Sequence, residues 1–555
     1  MGDVPEASMG LDRFLERMRI DDERVYTLSR EFSSTFTRLA AESTDQFLPT
    51  PITESIIRPL REKKLQGRFL AIDIGGTNLR AGFIELLGNH EPLMNESARA
   101  SSQQSTPNLC RLHEHSWPIQ AHLKTGDVDG LFAWIGSCIA EVVREGCVSF
   151  GLPRATPLPM GVTFSFPMQQ ESLSEARLMS MGKGFAISSY LELGPHLVAG
   201  YEKARAASTD FVLPPVKIAA IANDAVSTLV SFLYEAPRCA NSKAAMGVIC
   251  GTGSNATLLL EQSKLHPSKR RDYGHDVKIA VNTEWSIRGS AAAIRAVQFI
   301  HPWDEQLSDS VECPGFQPLE YMTAGRYLGE LGRIMLVDYM TTVLGVVRET
   351  IPKKLLRKFE PNSTTFLSHY RPGRGQSLLA MLEAEYPVDD RESNDGIANG
   401  SAAGTADERT SGEHPKYGAS LAPFRWTDET ATALYHIAKA IETRAAAIIA
   451  AAIIGLLDCA TELPLPAQHA SAHVCTPASR PVDQLELLVG YTGGCITNFQ
   501  DYLADCQTYL DKLVARRYGS LTAAPIRVVL RPCHDGGIKG AGILVPASLA
   551  SQSIL

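Results

Sequence analysis

The segment from Phe69 to Phe83 constrains the fold of this chain more than any other. It reads FLAIDIGGTNLRAGF: an apolar run that ends in an acidic residue, a double glycine at Gly75 and Gly76, a polar pair and a second apolar run. This pattern predicts two strands joined by a tight turn. Because glycine has no Cβ atom, such a turn lets backbone N–H groups approach phosphate oxygens closely. A glycine-rich hairpin without any ligand has the same pattern, so a phosphate site needs support from elsewhere in the chain.

Two later segments repeat this pattern. Residues 215–225 read PVKIAAIANDA and predict a strand that ends at Asn223 and Asp224, and residues 246–256 read MGVICGTGSNA and predict a strand before a second glycine-rich turn. The second turn also fits the fingerprint GxGxxA, with Asp272 near the acidic position, so a nicotinamide-dependent enzyme is an alternative. We favour an enzyme that binds a nucleoside triphosphate and an acceptor, because two phosphate-type turns flank a carboxylate.

The chain resembles the eukaryotic hexokinases. The segment MGVTFSFPMQQESL at residues 160–173 is similar to their sugar-binding signature, and GKGF follows it at residues 182–185. Further similar segments are NTEW at 282–285, PGFQ at 314–317, EYMTAGRYLGE at 320–330, VGYTGG at 489–494 and DGGIKGA at 535–541. They occur in family order over roughly residues 25–545. An ordered series of this kind is far more specific than a single glycine turn.

The resemblance implies an α/β fold with two lobes, the hexokinase and actin-like ATPase architecture, in which a sugar binds in a cleft between a small and a large lobe. A length of 555 residues by itself favours more than one core. We expect an N-terminal helical segment over residues 1–65, a small lobe over 66–225 and a large lobe over 226–555. The low-complexity segment 389–418 and the segment 464–481 predict surface insertions in the large lobe.

The resemblance also implies roles for individual residues. Asp224 is the expected general base for a 6-hydroxyl group, and Lys183 is expected to support developing negative charge. The implied substrate-binding residues are Ser165, Asn223, Asn255, Glu284 and Glu320. The implied cofactor-binding residues are Asp73, Gly75, Gly76, Thr77, Asn78, Arg80, Gly251, Thr252, Gly253, Ser254, Gly490, Gly493 and Gly494. The expected cofactors are ATP and Mg²⁺, with Asp73 holding the metal directly or through water.

Three departures from the hexokinase pattern bear on the choice of sugar. Met181-Gly182 replaces Trp-Thr, SIRGS at residues 286–290 replaces GAFGD, and Thr492-Gly493 replaces Asp-Gly. Gly182 reduces the bulk of one wall, and the segment 286–288 is expected to add polar groups to another. These changes favour an N-acetylglucosamine kinase of the fungal hexokinase type over a glucose kinase. The alternative is a catalytically weak hexokinase-like protein that binds sugar and regulates other proteins.

Composition limits the partners and the location. The net charge of −8 gives no electrostatic reason to expect binding to nucleic acid. The 11 cysteines include no CxxC motif, which favours reduced thiols and a cytoplasmic location, with nuclear or organelle-associated placement left open. The apolar run at residues 445–457 is too short to span a bilayer and predicts a buried helix that Thr427 caps. The resemblance implies a sugar substrate, and we expect no membrane insertion, with protein partners if the role is regulatory.

Overall fold

A computed structural model describes residues 6–57, 65–88, 108–179, 187, 190–236, 241–357, 363–373, 375–388, 424–466 and 484–552. Lys183, Met181-Gly182, the predicted insertion at 389–418 and most of the segment 464–481 lie outside these residues. In the described part of the chain, two α/β lobes are each built on one mixed β-sheet, and a third, two-stranded sheet lies beside them.

Strands and helices alternate along much of the chain. The strands are β1 (Leu48–Thr53), β2 (Gly67–Ile74), β3 (Asn78–Leu86), β4 (Leu109–Pro118), β5 (Leu158–Phe164), β6 (Met168–Gln169), β7 (Arg177–Leu178), β8 (Val216–Ala222), β9 (Ser242–Cys250), β10 (Ser254–Glu261), β11 (Lys278–Asn282), β12 (Leu485–Thr492) and β13 (Ile526–Pro532). The helices are α1 (Glu6–Leu15), α2 (Asp22–Glu42), α3 (Ala121–Thr125), α4 (Val128–Phe150), α5 (Leu193–Ala207), α6 (Asp224–Glu235), α7 (Ala291–Ala296), α8 (Pro302–Ser310), α9 (Pro318–Thr323), α10 (Gly325–Thr342), α11 (Lys353–Leu356), α12 (Ser363–His369), α13 (Leu378–Glu385), α14 (Asp428–Cys459), α15 (Gly494–Asn498), α16 (Tyr502–Tyr518) and α17 (Gly536–Gln552).

The two large sheets share one strand order. The small-lobe sheet runs β4-β3-β2-β5-β8, and the large-lobe sheet runs β11-β10-β9-β12-β13 with β1 added at its edge. The central strand of each shared order pairs with its two neighbours in the same way. Strand β2 is antiparallel to β3 and parallel to β5, and β9 is antiparallel to β10 and parallel to β12. The strands β2, β5 and β8 therefore end at one edge of the small-lobe sheet, and β9, β11 and β12 end at one edge of the other. Polar residues that follow these strands are grouped as a result.

Two helices cross between the lobes. Helix α6 follows β8 of the small-lobe sheet but packs on β9 and β10 of the large-lobe sheet, whereas α17 follows β13 of the large-lobe sheet but packs on β2 and β5. The two helices also pack on each other at very short range. A Cβ atom at Gly540 would lie 2.1 Å from the carbonyl oxygen of Ser227, and one at Gly536 would lie 2.9 Å from Cα of Thr228. Glycine is required at these positions because any side chain would separate the helices.

The division of the chain into lobes differs from the boundaries expected from the sequence. Strand β1 falls within residues 1–65, where we expect helices, but it pairs antiparallel with β11 at the edge of the large-lobe sheet. Helix α17 falls within residues 226–555, but it packs on the small-lobe sheet. Boundaries drawn along the sequence cannot describe a chain that crosses between the lobes more than once.

Helix α14 forms the centre of the large-lobe core. It is 32 residues long and packs against α2, α10 and α16. Its N-terminus confirms the predicted cap, because Thr427 Oγ1 accepts a hydrogen bond from the backbone N–H of Thr430 at 3.2 Å. Among the described residues, this helix alone is long and apolar enough to cross a membrane, but 89% of its most apolar window is buried inside the protein. The structure thus uses the apolar run as the buried helix that the sequence predicts.

A buried ion pair joins α14 to α8. The two terminal nitrogens of Arg444 lie 2.8 and 2.7 Å from the two carboxylate oxygens of Asp304. The side chains are only 1% and 5% exposed. Arg444 also donates to the carbonyl oxygen of Phe299 at 3.2 Å. Because neither charge is solvated by water, each depends on the other, and the pair fixes the position of α8 on the core helix.

We expect the substitution Asp304→Asn to lower the free energy of unfolding by about 3–5 kcal/mol, because it leaves the buried guanidinium uncompensated. Thermal unfolding of the purified protein measures the effect as a lower Tm. The matched control is Asp309→Asn, which removes an exposed carboxylate from the same helix and should leave the Tm unchanged. Equal Tm values for the two variants would contradict a structural role for the buried pair.

Candidate functional site

A cleft of about 290 Å³ lies between the lobes, at the edges where the parallel strands end. Its small-lobe wall consists of Gly76, Thr77, Lys124, Ser165, Phe166, Pro167, Asn223 and Asp224. Its large-lobe wall consists of Ile249, Thr252, Gly253, Ser254, Asn255, Glu284, Ile287, Phe316, Gln317, Glu320 and Arg326. The structure therefore brings together Asp224 and all five predicted substrate-binding residues.

Asp224 is held at the start of α6, directly after β8. Its Oδ1 accepts a hydrogen bond from the backbone N–H of Ala225 at 2.9 Å, and Oδ1 of Asn223, the N-cap residue, accepts from the same N–H at 2.8 Å. Asn223 in turn donates to the carbonyl oxygen of Phe166 at 3.3 Å, which ties it to the segment after β5. The carboxylate of Asp224 is thus fixed in the wall of the cleft, where a bound hydroxyl group can reach it.

A network of amides positions Glu284 and Asn255. Asn282 donates to Oε1 of Glu284 at 2.8 Å and accepts from Asn255 at 2.8 Å. Glu284 has a φ of 46°, a left-handed conformation that costs a non-glycine residue on the order of 1 kcal/mol. Gln46 stabilises this conformation by donating to the carbonyl oxygen of Glu284 at 2.9 Å. Asn282 and Gln46 therefore orient Glu284 and Asn255 in the cleft wall. Sequence reasoning did not place either of them in the site.

The second glycine-rich turn is held from both sides. Glu320 accepts a hydrogen bond from the backbone N–H of Ser254 at 3.0 Å. The indole N–H of Trp285 donates to Oγ of Ser254 at 3.1 Å, and the hydroxyl of Ser286 donates to the carbonyl oxygen of Ser254. A Cβ atom at Gly253 would lie 2.9 Å from Oε2 of Glu320, so this position must stay small. These contacts fix Thr252, Gly253 and Ser254 at the surface of the cleft.

Next to the first glycine-rich turn, a chain of ion pairs runs from the buried Asp73 to the exposed Arg111. Arg80 binds Asp73 at 2.6 Å and Asp535 at 2.7 Å, and Arg111 binds the other oxygen of Asp535 at 2.9 Å. Burial raises the pKa of Asp73, although the neighbouring Arg80 opposes this effect. A Cβ atom at Gly537 would lie 2.5 Å from Oδ2 of Asp73, so the N-terminus of α17 packs directly on this carboxylate.

Asp73 does not fit the expected role of a direct Mg²⁺ ligand. One of its oxygens is bound to Arg80, the side chain is buried, and Asp73 is not among the described residues that line the cleft. The carboxylate of Asp73 instead accepts a hydrogen bond from Arg80 and orients it. Arg80 in turn links this part of the small lobe to Asp535 in the other lobe. The contact of Asp73 with the metal ion through water, which the sequence analysis also allows, stays a prediction.

Nine of the other predicted cofactor-binding residues fall into three groups. Those that line the cleft are Gly76, Thr77, Thr252, Gly253 and Ser254. Those that shape the turns are Gly75 and Gly251, whose N–H groups donate to the carbonyl oxygens of Asn78 and Gly253, both at 2.9 Å. Gly493 and Gly494 lie against the second turn, where Gly493 has a φ of 121° and a Cβ atom would lie 2.3 Å from the carbonyl oxygen of Cys250.

Gly490 is required for packing. It lies inside β12, and a Cβ atom there would approach the ring of Phe232 on α6 to 2.4 Å. The described cleft wall does not include it. A glycine in a strand often marks the close approach of another element, so this packing accounts for Gly490, and its contact with the cofactor stays a prediction.

The structure adds three polar residues to the cleft. Gln317 at the start of α9, Arg326 in α10 and Lys124 in α3 all line it, and sequence reasoning assigned none of them. Burial and the nearby Arg326 lower the pKa of Lys124. Gln317 and Arg326 belong to matched segments and could have been found there, whereas Lys124 lies outside every matched segment. Lys124 and Arg326 thus bring one cation from each lobe to a cleft that also contains three carboxylates, and Arg326 is paired with Glu312 at 3.0 Å.

The expected polar wall at residues 286–288 is not present. Ser286 is buried and directs its hydroxyl towards the backbone of Ser254, away from the cleft. The side chain of Arg288 is 71% exposed and lies 3.6 Å from Asp45. Of these three residues, only Ile287, which is apolar, faces the cleft. The sequence-based expectation of new hydrogen-bonding groups in this wall is therefore wrong.

Comparisons with known proteins agree with this geometry. Two family models, both described as hexokinase, match residues 10–234 and 245–547. The hexokinase of Kluyveromyces lactis is 30% identical over 344 residues, which cover 61% of this chain and 63% of that protein. Hexokinase HKDC1 of Mus musculus is 26% identical over 329 residues, which cover 59% of this chain and 32% of that protein. The chain thus spans less than two thirds of the length of these curated relatives.

One solved structure confirms the predicted two-lobed fold. Hexokinase from Schistosoma mansoni, complexed with glucose, aligns with a TM-score of 0.67 at 20% identity, over 98% of this chain and 99% of that one. At this identity the likeness concerns the fold.

We expect Asn282→Ala to weaken binding of the predicted sugar by about tenfold, although Asn282 is buried behind the cleft wall, because Glu284 and Asn255 both lose the amide that aims them. Isothermal titration with the sugar measures the loss. The matched control is Thr257→Val, at the position paired with Asn282 across the strands; the Thr257 hydroxyl is buried without a hydrogen-bond partner among the described residues. Equal affinities in the two variants would exclude a positioning role for Asn282.

Proposed function

The chain belongs to the hexokinase family, and from this premise we propose that it is an ATP-dependent sugar kinase that phosphorylates the 6-hydroxyl group of a hexose. One observation carries the proposal: a single cleft contains a carboxylate at a helix start, a set of amide and carboxylate groups that suits a polyol, and two glycine-rich turns from opposite lobes. Phosphoryl transfer needs little more than this, because its catalysis consists mainly of positioning and charge stabilisation.

The acceptor side of the proposed reaction centres on Asp224. A hexose held by Ser165, Asn223, Asn255, Glu284 and Glu320 places a hydroxyl group against this carboxylate. Asp224 would then accept the hydroxyl proton while the sugar oxygen bonds to the γ-phosphorus atom of ATP and the bond from that phosphorus to the β–γ bridging oxygen breaks, which releases ADP. The hydrogen bond from Ala225 and the N-terminus of α6 hold the carboxylate in place for this step.

The donor side is formed by both lobes. Thr77 and Thr252 extend from the two glycine-rich turns into the cleft, and Lys124 and Arg326 add positive charge. These groups match the negative charge of a triphosphate, which no single lobe could surround. Mg²⁺ would enter with the phosphates of ATP and neutralise part of their charge. Because Oδ2 of Asp73 is bound to Arg80, a contact of this residue with the ion would run through water.

The identity of the sugar is the narrower part of the proposal. We propose that the preferred substrate is a plain hexose rather than N-acetylglucosamine. The polar wall expected to favour N-acetylglucosamine is absent from the described residues, and Ile287 adds bulk where the hexokinase pattern has alanine. Support for an N-acetylhexosamine now rests on Gly182, which lies outside the described residues. A catalytically weak sugar-binding regulator is the second candidate, favoured by the same departures from the family pattern. For either role we propose the cytoplasm, from the reduced cysteines.

We expect Asp224→Asn to lower kcat by about 10²–10⁴, the usual effect of removing a general base, and to retain sugar binding because the amide keeps the size of the side chain. Coupled ATP-consumption assays across glucose, fructose, mannose and N-acetylglucosamine measure the first effect, and the sugar-induced rise in Tm measures the second. Unchanged turnover in the variant would exclude Asp224 as the base. A wild-type protein that phosphorylates none of these sugars, but gains Tm with one, would support the regulatory candidate instead.

We expect wild-type protein to show a higher kcat/KM for glucose than for N-acetylglucosamine, and Ile287→Ala to raise the relative kcat/KM for N-acetylglucosamine by about tenfold, since removing buried methyl groups from a wall is worth roughly 1–3 kcal/mol. Steady-state assays with both sugars at saturating Mg-ATP give the ratio. Ile287→Leu keeps the volume of the side chain and should leave the ratio unchanged. A wild-type preference for N-acetylglucosamine would reverse this order of the two sugars.

A further inference from the structure

A cluster of histidine and glutamate side chains lies on the small lobe, outside the cleft. His113 and His115 belong to β4, and Glu141 and Glu145 lie one turn apart on α4, which packs on β3 and β4. One ligand atom each from His115, Glu141 and Glu145 lies within 4.8 Å of the others. We propose that these four side chains form a binding site for a divalent transition-metal ion, with Zn²⁺ as the ion that suits the ligands.

The two histidines already lie near the separation from Glu145 that a shared metal ion requires, and the ligand atom of Glu141, within 4.8 Å of those of His115 and Glu145, would close the remaining gap. Nε2 of His115 lies 2.9 Å from Oε2 of Glu145, and Nδ1 of His113 lies 3.4 Å from the same oxygen. In a tetrahedral zinc site, bonds of about 2.0–2.1 Å place neighbouring ligand atoms about 3.3 Å apart. His113 is already at this separation from Glu145. His115 needs to retreat by only a few tenths of an ångström, exchanging its hydrogen bond for a bond to the metal.

The backbone around the cluster is adapted to bring these side chains together. The pairing of β4 with β3 is irregular between Ala81 and Phe83, and His113 has a φ of 48° at this irregularity. A Cβ atom at Gly82 would lie 2.9 Å from Cα of Glu114, so glycine makes room for it. At Gly146, next to Glu145, a Cβ atom would lie 2.4 Å from the ring of Phe83. The absence of side chains at these two glycines places the carboxylates of α4 within reach of the histidines.

Aromatic rings hold both imidazoles in position. His115 stacks on Trp117 with 5.7 Å between ring centroids and 24° between planes, and the centroid of His113 lies 5.2 Å from that of Phe150. Histidines that are already oriented lose less conformational entropy when they bind an ion. The two imidazole rings are 33% and 37% exposed, so an ion can enter from solvent.

The chemistry of the ligands selects the class of ion. Imidazole nitrogen suits Zn²⁺ and its transition-metal neighbours, whereas Mg²⁺ prefers oxygen ligands in an octahedral arrangement. The site should therefore bind Zn²⁺ in the presence of the Mg²⁺ that accompanies ATP. The bound ion would join the edge strand β4 to α4 and stabilise the small lobe. This metal site is independent of the proposed kinase activity, because the described cleft wall contains none of the four residues.

Isothermal titration of ZnCl₂ into metal-free full-length protein, without nucleotide, tests the proposal. All variants carry Cys313→Ser, which removes the one exposed thiol among the described residues. We expect one Zn²⁺ per chain and a rise in Tm on binding. His115→Ala and Glu145→Gln should each weaken affinity by at least about tenfold and abolish the Tm rise. His122→Ala, which removes an exposed histidine of α3 outside the cluster, should bind as the parent does.

Two results would overturn the site. One is the absence of Zn²⁺ binding by the parent protein, and the other is equal affinity in the parent, His115→Ala and His113→Asn. The His113 variant guards against a fold defect specific to position 115. Phosphoryl transfer with Mg-ATP, measured on the metal-free variants, should equal that of the parent and shows that each variant is folded.

Discussion

The close contact between helices α6 and α17 is the constraint on which the rest of the structure depends. Each helix follows the last strand of one sheet and packs on the other sheet, so the two lobes are joined through the helix pair. At their crossing, Thr163 of β5 shares a hydrogen bond of 2.6 Å with Ser227 of α6 and donates to the carbonyl oxygen of Gly537 in α17 at 2.9 Å. Small residues and satisfied buried hydroxyls allow the backbones to approach without leaving a polar group unpaired.

This crossing also decides where the chemistry can occur. Because both helices start at the edges where parallel strands end, their N-termini lie close to the two glycine-rich turns. Asp224, at the start of α6, lies in the cleft wall, and the start of α17 packs against the carboxylate of Asp73. Asp535, which immediately precedes α17, reaches Arg80 and Arg111 of the small lobe. The two lobes thus meet in one network of ion pairs next to the proposed phosphate site. A change of angle between the lobes would alter the distances within these ion pairs.

Some polar residues line the cleft, and others lie behind them and fix their orientation. Glu284 and Asn255 line the cleft. Behind them, Asn282 binds both of their side chains, and Gln46 binds the backbone carbonyl oxygen of Glu284. The strained φ of Glu284 persists because hydrogen bonds from Gln46 and Asn282 hold its backbone and its side chain. Ser286 and Trp285 act in the same way on the second turn. Within the segment 286–288, which departs from the hexokinase pattern, Ser286 therefore changes the support of the site and Ile287 changes its surface.

The sequence alone determined the fold class and most of the cleft, because the relevant signals are local. Glycine turns, strand ends and the cap at Thr427 depend on residues a few positions apart, and an ordered series of such segments identifies the family. What the tertiary structure alone decided are contacts between residues distant in sequence. Asp73 is paired with an arginine rather than left open for a metal ion, Gly490 accommodates Phe232, and Ser286 turns inward. The same holds for β1 and α17, whose lobe depends on which sheet edge or face they cover. In each case the residue type is compatible with two roles, and the neighbour that the fold supplies selects between them.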